Sequence, residues 1–569
     1  MGSRHPVAAS HLAADYSEIG TDSYTRPMAL RSPDAVHGGS DQPEPADLAI
    51  GSFTSDAPWV VEPDQMVWRA AEPVVRWSVA RELPELVRPR RLPSPGRLSR
   101  VVGRLAFTVA PWALGARRRG GTISRADLSR RLRVAAEHLG PTYIKLAQII
   151  SSGEGLFPEE LVHEFKKCRD RVPAEPFHKV REVVEGDLGQ PLEAVFSSFD
   201  RQPLAAASIA QVHAATLITG EEVVVKVQRP TVERLVREDL RVMAWLAPFL
   251  VGRIPIAALA NPPALVELFG ETITEELDFR LEAANMLDVA RIFAELGQRN
   301  YVIPRPHPQL VTPRVLVMER IHGFAFDDVA GMVDAGVDTA EVVRTGMIGF
   351  MEGAMLYGVF HGDLHGGNLL VLPDGRVALL DFGITARFSP LKQQAFLRMV
   401  VGATMNDLRI QIEALRDLGA LPPDTDTDAV IAELGLDRPP VDPTTLTPDE
   451  MVGEIQQVVK GLMGLGARLP KELMLYIKNM VFLDGAIATL APDLDLFAEI
   501  ARISEYMAER HGERIAASIG MEPTNVDFDF SGIKASFGVD PNSTSSLTYR
   551  DLQKRRKLIS DRLAGRKLL

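Results

Sequence analysis

The chain has 569 residues, with 63 Lys and Arg against 75 Asp and Glu, a net charge of -12, 46% hydrophobic and 24% charged residues. These are globular proportions with apolar material for several domains, and the acidic balance argues against a nucleic-acid partner. One cysteine, Cys168, excludes internal disulfides and zinc sites built from several thiolates.

Residues 1–56 are rich in Ser, Asp, Pro and Gly without a sustained period and read as a disordered tail. No apolar core of signal-peptide length opens the chain, and Pro6 breaks the myristoylation pattern. No run of about 18 uninterrupted apolar residues occurs. The expectation is a cytoplasmic protein, soluble or peripheral on the cytoplasmic membrane.

Residues 57–177 form a helical extension. Between Arg88 and Arg119 stand nine arginines and no acidic residue, around the apolar stretch LAFTVAPWALGA with Trp112. Such a segment suits an anionic membrane surface; a short buried helix with solvated ends is the other reading. Residues 125–170 then show helical spacing in Leu128, Leu132, Ala135 and Leu139, punctuated by Gly140-Pro141.

Residues 178–322 mix strands and helices. VHAATLI and EEVVVKV around Thr219-Gly220 predict a β-hairpin, a helical stretch runs from about 231 to 290, and LVTPRVLVMERI adds two strand-like runs ending at Glu319. Residues 323–510 are mainly helical, apart from a second hairpin in NLLVLPDGRVALLDFG and a Pro-, Thr- and Asp-rich loop over 421–449. Residues 511–569 end in a basic tail, KRRKLISDRLAGRKLL. The outline is α+β: a small β-rich lobe, then a larger helical lobe, as in protein kinases.

Phosphoryl transfer needs cations against phosphates, carboxylates for Mg²⁺ and a group that orients the nucleophile. Lys226 ends the β-branched run VVVKV, where an ammonium can reach phosphates. Glu282, in EELDFRLEAAN, is the expected partner that fixes it; Asp278 and Glu282 are spaced i, i+4, on one helical face. HGDLHGGNLLV places His361, Asp363 and Asn368 in the H-x-D-x-x-x-x-N spacing of a kinase catalytic loop. Asp363 would take or orient the acceptor proton and Asn368 would hold a second Mg²⁺. Asp381 of LLDFG, eighteen positions on, would hold the Mg²⁺ that bridges phosphates. No glycine-rich loop precedes Lys226. Ala205, Ala206, Ala207 and Ser208 stand where the phosphate-covering loop belongs, and alanine restricts the backbone there. Glu319 completes the candidate nucleotide site. The cofactors expected are ATP or ADP and Mg²⁺.

The ordered set resembles the UbiB/AarF family of atypical kinases. The family's alanine-rich loop matches AAAS, its ExD motif matches Glu276-Leu277-Asp278, and its KxGQ motif matches Lys145 and Gln148 in GPTYIKLAQ. The resemblance covers about 130 to 500. It implies that Lys145 and Gln148 pack over the site with Glu276 and Asp278 beneath, blocking protein substrates. It implies ATPase or small-molecule kinase activity, and partners among membranes and proteins of isoprenoid quinone or lipid metabolism. Two departures stand out. Ala147 replaces the motif glycine, and HGDLHGGN lacks the family's proline, looking closer to aminoglycoside and choline phosphotransferases. A small-molecule phosphotransferase and a nucleotide-binding regulatory scaffold therefore remain alternatives.

Overall fold

The computed structural model describes residues 59, 66–88, 92–115, 121–151, 157–168, 173–251, 262–405, 407–436, 465, 467, 470–520, 547–554, 556 and 557. The tail expected over 1–56 and most of the basic C-terminal run lie outside them.

The small lobe is built on a six-stranded antiparallel sheet: β1 (Phe196–Phe199), β2 (Ala205–Ala206), β3 (Ala210–Leu217), β4 (Glu222–Gln228), β6 (Pro306–Val311) and β7 (Val315–Glu319). Its order is β1-β3-β4-β7-β6, with β2 added on β3. The expected hairpin is β3–β4, and Gly220 turns it with φ at +107°, a region costly for any side chain. Period-two alternation explains what β4 does. Val223, Val225 and Val227 face one way and pack with Val180, Val183 and Val184 of the Phe177–Leu188 helix, and with Val315 and Val317. The intervening Lys226 must then face the other way, towards the Phe279–Glu295 helix and the cleft.

That helix is amphipathic on the 3.6 period and buried along most of its length, from Phe279 to Phe293. Ahead of it run helices Val232–Leu250 and Pro262–Glu275. A four-stranded sheet joins β5 (Tyr301–Val302), β11 (Val377–Leu379), β10 (Leu369–Val371) and β8 (Phe324–Ala325) in that order. The second expected hairpin is β10–β11, turned at Gly375 with φ +86°. A two-stranded pair, β9 (Val359–His361) and β12 (Thr385–Arg387), carries the catalytic loop on one side and the DFG segment on the other.

Beneath that pair the large lobe packs helices Thr339–Glu352, Pro390–Thr404, Lys471–Leu490 and Leu496–Ile519. Phe350, Phe360, Phe388, Phe396 and Tyr476 form one aromatic cluster, with Phe388 stacked on Phe396 at 4.9 Å and Phe350 on Tyr476 at 5.3 Å. Ring pairs of this kind fix orientation beyond simple burial, and Phe360 ties β9 into the cluster through edge-on contacts with Phe350 and Tyr476. The Lys471–Leu490 helix is long and apolar enough to cross a bilayer by length and composition. In the fold it packs against Thr339–Glu352 and buries Leu473, Leu475, Asn479 and Leu483. The loop expected over 421–449 contains a helix, Thr427–Leu434, because Asp426 accepts the N–H groups of Asp428 and Ala429 as an N-cap; 437–449 lies outside the described residues.

The extension folds onto both lobes. Trp59 and Trp68 donate to the carbonyls of Pro306 and His307 on β6, at 3.1 and 3.2 Å. The arginine-rich segment forms the Pro95–Leu114 helix. Two of its expected membrane-facing residues turn inward. Arg97 is buried against Asp239 at 2.6 and 2.9 Å, and Trp112 donates to the Ser124 carbonyl at 2.9 Å. Val102, Phe107 and Leu114 stay exposed. Cys168 is buried, and burial pushes its thiol up to about 12, which leaves it inert.

His307 takes the backbone N–H groups of Gln309 and Leu310 on Nδ1, both at 3.1 Å, so it is held neutral. Burial lowers its pKa to about 4. The unfolded imidazole titrates near 6.5, so in acid the unfolded chain takes a proton that the folded chain refuses. This contribution is harmless above about pH 6.5 and costs stability as pH falls towards 4. Between pH 7 and pH 5, wild-type stability relative to His307→Phe should therefore fall by about 1 kcal/mol, read from paired denaturant titrations. Parallel stability profiles for the two proteins would rule this out.

Candidate active site

The cluster begins at Lys226. Its ammonium lies 2.8 Å from Glu282 Oε1 and 3.0 Å from Asp381 Oδ1, and 5.5 Å above the Phe279 ring. Burial works against the ammonium, but the two carboxylates outweigh it and raise the Lys226 pKa. Glu282 is deeply buried, and burial pushes its carboxyl upward even beside that ammonium. The strand and helix are tied together independently, since Gln228 donates to the Leu277 carbonyl at 2.8 Å.

Asp381 is the one described non-glycine residue with positive φ, +57°. The left-handed conformation is unfavourable for a side chain and is held here by its surroundings. Asp381 Oδ1 accepts from Gly383 N at 3.2 Å, and His361 Nε2 donates to the Leu380 and Asp381 carbonyls at 3.1 and 2.9 Å. Gly383 sits in tight quarters: a Cβ there would lie 3.2 Å from Asp381 Oδ1 and 3.3 Å from the Glu276 side chain, so both would have to give way. The Asp381 side chain is about half exposed (46%), so its carboxylate still faces the cleft.

The catalytic loop is ordered from both ends. His361 Nδ1 accepts the Asp363 N–H at 3.1 Å, and burial lowers the His361 pKa, which keeps that nitrogen an acceptor. Asn368 Nδ2 donates to the Asp363 carbonyl at 3.0 Å, which leaves its Oδ1 for another partner. Asp363 stands between two ammoniums: Lys478 is ion-paired to Oδ1, and Lys145 lies 4.0 Å from Oδ2. Burial would raise its pKa, but Lys478 and then Lys145 hold it well below the usual carboxylate range.

Lys145 comes from the Pro141–Ser151 helix and pairs with Glu276 at 2.9 Å. Burial opposes its charge, but Glu276, Asp363 and Asp381 together raise its pKa. Ala147 is buried on this helix, so the methyl replacing the motif glycine is absorbed by the core. Gln148 is half-buried on the same helix.

Other expected residues fall elsewhere. Asp278 does not share the face of Glu282; it is the N-cap of the Phe279–Glu295 helix, bonded to Arg280 N at 3.1 Å and to the Arg280 guanidinium at 2.6 and 2.9 Å. Being non-helical itself, a cap residue does not follow the i, i+4 rule. Glu319 is buried at the end of β7 opposite Val223, and its carboxylate accepts from Arg305 N at 3.2 Å. Ala205 and Ala206 form β2, with Ala207 and buried Ser208 in the turn to β3. Arg229 pins that turn by donating to the Ala207 carbonyl at 3.0 Å, and it also binds Glu175 and the Pro173 carbonyl.

Three residues not singled out from the sequence complete the site. Asn285 donates to the Phe382 carbonyl at 3.0 Å and accepts from Arg76 and Arg387. Lys478 and Asn479 arrive from the Lys471–Leu490 helix. Asn479 accepts the Leu364 N–H at 3.1 Å and donates to the His361 carbonyl. A lysine and an asparagine in the apolar run MLYIKNMVFL were the available signal, since buried polar groups require partners.

The arrangement offers fixed ammoniums, a half-exposed carboxylate and an amide oxygen around one aspartate. Oxygens from Asp381 and Asn368 could hold a Mg²⁺ that keeps waters and phosphate oxygens as its other ligands; among the described residues no group of three or more His, Cys, Asp or Glu forms a closed metal cage. The donor set fits that ion.

A family model described as the ABC1 atypical kinase-like domain matches residues 167–414. The chain is 32% identical over 414 residues to a probable protein kinase UbiB of Marinobacter nauticus, covering 72% of this chain and 74% of that one. It is 34% identical over 369 residues to an uncharacterized protein of Mycobacterium tuberculosis, covering 63% and 74%. It is also 34% identical over 383 residues to the Arabidopsis thaliana chloroplastic protein ACTIVITY OF BC1 COMPLEX KINASE 1, covering 67% and 55%. Fold and site together define a protein-kinase-like architecture. The chain belongs to the ABC1 family of atypical kinases, the group that includes UbiB- and AarF-type proteins.

Proposed function

We propose that this protein is an ATP- and Mg²⁺-dependent atypical kinase or ATPase that acts in isoprenoid quinone or other membrane lipid metabolism and not on protein substrates. The observation that carries the reading is Lys226 held at once by Glu282 and Asp381, beside Asp363 and Asn368. This is the set of charges that phosphoryl transfer requires. Lys226 binds phosphate oxygens and Asp363 orients an acceptor hydroxyl or water. Bound Mg²⁺, held by Asp381 and Asn368, would supply charge neutralisation at the phosphates. Lys145, on the Pro141–Ser151 helix, is ion-paired with Glu276 beside Asp363, and the exclusion of polypeptide acceptors rests on the resemblance of this segment to the family's KxGQ motif. The lipid-side assignment draws on the UbiB names of the relatives.

The test is equilibrium binding of ATP to the purified chain with Mg²⁺ and with EDTA. Tight binding that weakens by about tenfold or more on chelation supports the reading, because the metal would neutralise charge that Lys226 alone leaves unbalanced. No nucleotide binding in either condition would sink it.

A further inference from the structure

The loop between Asp363 and Asn368 reads Leu-His-Gly-Gly and contains no lysine or arginine. Lys226 is paired with Glu282 and Asp381, and Lys145 is paired with Glu276, so neither has Asp363 as its main partner. The remaining ammonium on Asp363 comes from a different part of the chain, 115 positions further on, and is carried by the Lys471–Leu490 helix. The neighbouring Asn479, fully buried, bolts this helix to the catalytic loop through Leu364 N and the His361 carbonyl. The backbone under Lys478 is therefore fixed, while its four-carbon stem can move the charge over a few ångströms.

We propose that Lys478 is the ligand of the terminal phosphate of a nucleoside triphosphate, and that it exchanges Asp363 for that phosphate when the nucleotide binds. The proposal rests on the nucleotide reading above and extends it to a residue outside the kinase motifs. Without nucleotide, Lys478 occupies Asp363 Oδ1 as its ion-pair partner. An entering terminal phosphate offers more negative charge and draws the ammonium across, which frees Asp363 Oδ1 for the acceptor hydroxyl. In transfer, the bond from the terminal phosphorus to the bridging oxygen breaks, and its electron pair leaves on the diphosphate. The new bond forms to the acceptor oxygen, whose proton goes to Asp363. Lys478 stabilises the charge on the transferring group throughout, as preorganised cations do in such sites.

The test uses the full chain with Mg²⁺, a β,γ-imido analogue of ATP, and ADP, comparing wild type with Lys478→Met and Lys478→Arg. Because only the triphosphate presents the terminal group, Lys478→Met should weaken analogue binding on the order of 10- to 100-fold, with ADP within about twofold of wild type. Lys478→Arg should recover most of that loss. Retained ADP binding also reports that the variant is folded. If Lys478→Met binds analogue and ADP in the wild-type ratio, the lysine only positions Asp363 and the proposal is overturned. Loss of both ligands in both variants overturns it too, assigning Lys478 to the fold. Wild type that binds neither ligand would defeat the nucleotide reading itself, and this proposal with it.

Discussion

Asp363→Asn should lower ATP turnover by about 10³-fold while leaving Mg²⁺-nucleotide binding intact or slightly tighter. Asparagine has the same shape, so the Asp363 N–H and carbonyl bonds to His361 and Asn368 survive. What is lost is the group that orients and accepts the acceptor proton, an effect of roughly 10²–10⁴ in rate. The direction of the binding change follows from the neighbours. Lys478 pairs with Asp363 Oδ1, and Lys145 lies 4.0 Å from Oδ2. Removing that carboxylate leaves the Lys478 ammonium without its anion and Lys145 with Glu276 alone, and a phosphate becomes the replacement. Phosphate release and equilibrium binding on the same preparation separate the two effects. Turnover above about a tenth of wild type would remove Asp363 from the chemistry.

Arg97→Leu should cost about 3–5 kcal/mol of stability, because it leaves Asp239 buried without its counter-charge. Arg97 and Asp239 are both nearly inaccessible, and the guanidinium meets the carboxylate through two bonds and also donates to the Leu139 carbonyl. Burial already pushes the Asp239 carboxyl up despite that partner. The pair joins the Pro95–Leu114 helix to Val232–Leu250, so its loss loosens the extension from the small lobe. The double variant Arg97→Leu with Asp239→Leu should recover most of the loss, since an apolar pair of similar volume replaces a buried ion pair at little cost. Urea denaturation of the three proteins gives the comparison. A single-variant loss under about 1 kcal/mol would show that Asp239 finds water or another donor.

The parts of the site that could be read from the sequence are those whose chemistry crowds them into short runs. His361, Asp363 and Asn368 share one loop and Asp381 follows one hairpin later, so their spacing alone placed them together. Lys226 was legible because it ends a run of β-branched residues, VVVKV, where a strand can present an ammonium to a cleft. Glu282 was legible from its small apolar neighbours. Asp278 was misread because a helical period was extended one residue past the start of the helix, where the cap begins. The 427–434 helix was missed because Pro and Asp signal turns as strongly as they signal caps, and only the N–H groups that Asp426 accepts distinguish the two. Lys478, Asn479, Asn285 and Arg229 escaped for a different reason. Each acts on a segment far along the chain, and no spacing rule encodes which loop a distant helix will meet.

Asn285 joins two things that are otherwise unrelated. One side of its amide holds the Phe382 carbonyl, next to Asp381, while the other takes Arg76 of the Glu72–Leu86 helix. Free-energy coupling is reciprocal: if occupancy of the cleft changes how firmly Phe382 is held, it changes the grip on that helix by the same factor. A partner that captured the helix would thus alter ligand affinity without touching the cleft, and a filled cleft would advertise itself on the outer surface of the extension.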